Sequence, residues 1–168
     1  MRTRAIGLSL LAAALAVLLQ TTLFGQVRIF GVAPDLVMLT VIAVARRLDA
    51  EPAVLLGFTS GLAMDLLGSS PLGLRALVLT LIAYATVRTR DRFDINVVAT
   101  GLAVVLLSLL GVVLVVVVGT LFGEASFQDP NVLRKILLIP IYNLVLGVVV
   151  FPLVTLLVGG RRRRELLL

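Results

Sequence analysis

"GFTSGLAMDLLGSSPLG", Gly57 to Gly73, places two glycines and an aspartate four residues apart in an apolar run, then breaks into a turn. On a helix four residues turn 400°, so Gly57, Gly61 and Asp65 fall within about 80° of one another. Two glycines at this spacing let a neighbouring helix approach closely. A carboxylate aimed at hydrocarbon would cost at least ~2.5–3.5 kcal/mol at a bilayer centre. The stripe is therefore expected to face protein, with Gly57 and Gly61 as helix-packing positions and Asp65 beside them.

Composition makes lipid the solvent for this stripe. The 168-residue chain is 60% hydrophobic and only 14% charged, with no Cys, His or Trp, and its mean hydropathy is +1.17. Soluble domains are about 45–50% apolar. Six apolar segments follow one another, at residues 5–24, 34–45, 52–67, 72–87, 97–122 and 132–158. Crossing a ~30 Å hydrocarbon core takes about 20 helical residues. The first, fifth and sixth segments meet that length, and the shorter three can cross where the bilayer thins or flanking polar residues snorkel. The competing reading makes 52–87 a broken re-entrant pair. "VVLVVVV", Val112–Val118, would read as a strand in water, but an open strand leaves its backbone unsatisfied in lipid, so it is read as helix. The first segment also has the basic and apolar regions of a signal peptide. No small-residue cleavage site follows it, and it is read as a retained anchor.

Arginine placement sets the expected orientation. With six spans and an inside N-terminus, eleven basic residues fall on the cytoplasmic side: Arg2, Arg4, Arg46, Arg47, Arg88, Arg90, Arg92 and Arg161 to Arg164. Four remain outside: Arg28, Arg75, Arg134 and Lys135. This is a positive-inside bias, and it puts both termini in the cytoplasm. The expected fold is thus an all-α integral membrane protein of one polytopic domain, ending in a basic cytoplasmic tail at 159–168. Arg161, Arg162, Arg163 and Arg164 lock the topology and can touch anionic lipids. The net charge of +6 accordingly calls for no nucleic acid.

The same topology gathers polar residues in one outer layer. Asp35 begins the second span, Asp65 ends the third, Arg75 begins the fourth, and Asn143 lies about three turns into the sixth. These four form a candidate cluster. In one reading Asp65 and Arg75 neutralise each other and pin the turn; in the other the cluster also contacts a partner or ligand. Asp129 and Pro130 are read as an N-cap and first-turn proline for the last helix. Pro140 and Pro152 are read as kink positions within it.

Catalytic chemistry is missing. Without His or Cys there is no HExxH metal site, no thiolate ligand and no Ser-His or Cys-His nucleophile. Asp35 and Asp65 are the only candidates for an intramembrane acid pair, and both sit at helix ends beside expected counter-charges. The chain is read as a non-enzyme without cofactor or metal.

The stretch Pro34 to Val87 resembles the rod shape-determining protein MreD family. The matching pieces are Pro34-Asp35-Leu36, Gly57 and Gly61 ahead of Asp65, Pro71-Leu72-Gly73, and Tyr84. Arg75 departs from the His that many members carry there. The resemblance implies a multi-pass protein of the bacterial cytoplasmic membrane, a scaffold of the elongation machinery that governs cell shape and peptidoglycan synthesis. Its implied partners are an MreC-like single-span protein and, in a larger complex, MreB, RodA and a class B penicillin-binding protein. The implied fold is similar to the S components of energy-coupling-factor vitamin transporters, and a true S component is the alternative reading. Against that alternative, a ligand pocket usually has aromatic walls, and this chain has only two Tyr and no Trp.

Overall fold

The computed structural model describes residues 2–23, 30–68, 70–93, 96–124 and 126–158. Among these residues the chain is all-helical, with no strand. Six α-helices run in order: α1 (Arg2–Thr22), α2 (Leu36–Ala45), α3 (Ala50–Leu67), α4 (Leu74–Phe93), α5 (Val97–Leu121) and α6 (Val132–Val158). A single 3-10 turn, Ser126–Gln128, stands between α5 and α6. Of the six, α3, α5 and α6 are long and apolar enough to cross a membrane. "VVLVVVV" lies inside α5, where its backbone bonds are internal to the helix.

The bundle is built around its shortest helix. Every residue of α2 is buried, and each of the other five α-helices packs against it. Its sequence, "LVMLTVIAVA", is apolar all round, which is the pattern of a helix with no solvent face. The long helices show the opposite arrangement. Leu133, Leu137, Val145, Val148 and Leu156 of α6 are all exposed. Pro140 and Pro152 both lie within the continuous α6.

The largest interface joins α3 and α4, and the glycine stripe is what permits it. A Cβ on Gly57 would stand 2.5 Å from the Leu79 carbonyl oxygen. A Cβ on Gly61 would overlap the backbone of Arg75 and Ala76. Ser60, buried between them, satisfies its hydroxyl within its own helix by donating to Leu56 O at 2.7 Å. A similar contact joins α5 to α2, where a Cβ on Gly111 would meet Met38 Sδ at 2.5 Å.

The end of α4 and the role of Asp129 differ from the sequence expectation, while α6 starts at the expected Val132. α4 runs past Val87 to Phe93 and so carries Arg88, Arg90 and Arg92 on its last turns; cations at a helix C-terminus suit its dipole. α6 begins at Val132, and Asp129 lies outside it. The Asp129 carboxylate instead accepts from Asn131 N–H at 2.8 Å and pairs with Lys135 at 2.5 Å. These contacts hold its carboxyl below the ordinary 3.8, the Lys135 hydrogen bond most of all and the Asn131 N–H next.

Candidate functional site

One end of the bundle is closed by polar side chains that serve the starts of two helices. The first four N–H groups of any helix lack an internal partner. At α4 the Asp65 carboxylate, 4% exposed, supplies the missing acceptors from the end of the neighbouring helix. Its Oδ2 accepts from Gly73 N–H at 2.9 Å and Ala76 N–H at 3.1 Å. Its Oδ1 accepts from Arg75 N–H and from the Ser70 hydroxyl, each at 3.1 Å. Leu74 N–H donates to Pro71 O at 3.2 Å, and Leu77 N–H, bonding to Gly73 O, begins the helical ladder. A carboxylate offers about four lone-pair positions, and all four are occupied. Gly73, with φ +95°, takes the left-handed conformation from which its N–H turns back to Asp65.

At α2 the work is shared between two side chains. Asp35 is the N-cap, accepting from Met38 N–H at 2.9 Å. Gln20 of α1 reaches across to accept from Leu36 N–H at 2.7 Å and to donate to Pro34 O at 2.9 Å. The Arg75 guanidinium then lies 3.6 Å from Asp35 Oδ2, with side-chain exposures of 32% and 13%. Gln20, Asp35, Arg75 and Asp65 thereby link α1, α2, α4 and α3 in one polar layer. Its ion pair joins Arg75 to Asp35, whereas Asp65 meets Arg75 through the backbone N–H.

Asn143 sits apart from these contacts. It is fully buried, and its Nδ2 donates to the Ser108 hydroxyl of α5 at 3.0 Å. Its Oδ1 has no hydrogen-bond partner among the described residues. The pair is a polar lock between α5 and α6. A buried amide oxygen left bare costs about 1–3 kcal/mol.

The opposite end is tied by arginines. Arg46, buried at the C-cap of α2, donates to Thr100 Oγ1 at 3.2 Å and stands 5.9 Å from the centre of the Phe151 ring. Arg47 donates to Thr155 Oγ1 at 2.8 Å, and Arg90 to Leu48 O at 2.6 Å. Near this end a cleft of about 290 Å³ opens between α1 and α3, lined by Ser9, Asp49, Glu51 and apolar neighbours. Arg161, Arg162, Arg163 and Arg164 lie outside the described residues. No group of three metal-ligating side chains occurs among the described residues.

Sequence reasoning passed over Gln20 and Ser108. The signal for Gln20 was available, since it is the one amide within the first apolar run. Its partner was not, because the groups it serves are backbone atoms of another segment.

The arrangement holds helix starts together and presents a partly exposed ion pair. Searches of the curated proteins and of the solved structures give no match. A family model described as rod shape-determining protein MreD matches residues 1–159, nearly the whole chain. This helical membrane protein, with its glycine-packed α3–α4 pair and polar end layer, therefore belongs to the rod shape-determining protein MreD family.

Proposed function

We propose that this chain serves rod shape determination as a non-catalytic membrane scaffold, holding an MreC-type single-span partner within the peptidoglycan-synthesising elongation complex. In this reading all six helices lie in the bacterial cytoplasmic membrane with both termini inside, and the Asp35 end faces outward. MreB, RodA and a class B penicillin-binding protein belong to the larger assembly. The observation that carries the reading is the family match over residues 1–159. The arginine distribution supports the orientation, and the partly exposed Asp35–Arg75 pair offers a contact for a partner's juxtamembrane segment. Asp65 caps α4, the helix that carries Arg75, and Asn143 ties α6 to α5.

The test is depletion in the native cell combined with co-purification in mild detergent. Loss of elongated growth together with recovery of an MreC-type protein on the tagged chain supports the scaffold. Normal growth, with an ATPase-coupled transporter recovered instead, assigns the chain to vitamin uptake.

A further inference from the structure

The two sides of the bundle have different apolar heights. Arg46 with Thr100, Arg47 with Thr155 and Arg90 with Leu48 bring α2, α4, α5 and α6 level at one end. Heights above this level follow from the 1.5 Å helical rise. Arg75, paired with Asp35, stands fifteen residues before Arg90 on α4, or about 22 Å up. On α5 the exposed apolar side continues from Thr100 to Leu121, about 31 Å. On α6 it continues from Thr155 back to Leu137, about 27 Å. The lipid-side band of α3, from exposed Glu51 to exposed Leu67, is similarly short, about 24 Å. A bilayer core is about 30 Å thick. The α5–α6 face nearly matches or exceeds it, and the α3–α4 face falls short by about 6–8 Å.

We propose that the α3–α4 face thins the bilayer around it, so that headgroups and water of the leaflet on the Asp35 side descend to the Asp35–Arg75 pair, while α5–α6 holds that leaflet at full height. The partner is the phospholipid bilayer itself, recognised by apolar thickness rather than by headgroup chemistry. A short apolar band otherwise leaves charge in hydrocarbon, and bilayers yield to such mismatch by thinning. The inference rests on the reading that all six helices lie in the membrane. It gives the Asp35–Arg75 pair water on a side where a flat bilayer would bury it.

Two exposed residues at equal height separate the outcomes. Leu77 on α4 stands thirteen residues from Arg90, and Val113 on α5 stands thirteen residues from Thr100. The chain has no Cys, so nitroxide labels go onto Leu77→Cys or Val113→Cys in the full chain, in vesicles of dioleoyl phosphatidylcholine. Collision rates with oxygen and with a water-soluble nickel chelate report depth. The expected result is a several-fold higher nickel accessibility at Leu77 than at Val113, narrowing in 14-carbon lipid. Equal depth at the two positions would overturn the proposal. Protection of Val113 from both reagents would also overturn it, because protein would then cover that face. Free nickel access at both positions, without oxygen enrichment, would overturn the membrane reading along with it.

Discussion

Arg75 donates its backbone N–H to the Asp65 carboxylate at 3.1 Å, while its guanidinium turns to a different acid, Asp35. One residue thus joins the start of α4 to the end of α3 through its main chain and to the start of α2 through its side chain. The division predicts different consequences for the two aspartates, because Asp65 is spent on backbone donors and Asp35 is partly exposed.

Removing the Asp65 carboxylate strips acceptors from three backbone N–H groups and one hydroxyl. Loss of an N-cap costs about 0.5–2 kcal/mol, and a buried donor left bare about 1–3 kcal/mol. Asp65→Ala is expected to destabilise by several kcal/mol, and Asp65→Asn by less, since the amide keeps one acceptor oxygen. Thermal unfolding in mild detergent should rank them wild type, Asn, Ala; equal melting of all three would contradict the capping role.

Gly61→Ala places a Cβ against the backbone of Arg75 and Ala76, which gives way only if α3 and α4 separate. Overpacking costs about 1–3 kcal/mol. At Gly7 on α1 the same change meets open space, and Ala in a helix interior is favoured by about 0.5–1 kcal/mol. Denaturation in mixed micelles should move the two variants in opposite directions.

The Asp35–Arg75 pair is partly exposed, so its direct contribution to stability is expected at about 0.2–1 kcal/mol in a double-mutant cycle of Asp35→Asn and Arg75→Gln. If the pair contacts a partner, recovery of the MreC-type protein should fall far more than stability does. Unchanged recovery in the folded double variant would remove Asp35 and Arg75 from the contact.

Topology is open to chemistry because the chain has no Cys. Cysteines at Leu72 and Pro130 are expected to react with an impermeant thiol reagent on intact cells, and one at Arg88 only after lysis. Labelling at Arg88 on intact cells would reverse or reduce the six-span arrangement.

Asp129 has a defined pH window. Its folded carboxyl titrates below the ordinary 3.8, held down chiefly by Lys135. A depressed acid contributes stability that is present above the unfolded value and lost as pH falls through the lower folded value. The α5–α6 connection should therefore be insensitive to pH at neutrality and loosen only below about pH 4. Lys135→Met should raise the Asp129 titration, read from its side-chain carboxyl carbon by NMR.

The helical class was legible in the residues because lipid leaves the backbone no other partner, so the apolar runs had to be helices wherever they fell. Gly57, Gly61 and Asp65 were legible as a stripe because their four-residue spacing is local geometry. The position of α2 was not. An apolar side chain looks the same whether it faces hydrocarbon or protein, so nothing in "LVMLTVIAVA" separates a central helix from a peripheral one. The partners within the polar layer were hidden for a second reason. Asp65 binds main-chain N–H groups of α4, and Gln20 binds main-chain atoms beside α2; every residue type presents such groups, so no side-chain pattern marks them. Local periodicity therefore determined which segments are helices and which stripe meets protein. The packing of five helices around α2 alone decided which acid pairs with Arg75 and which one caps the helix beside it.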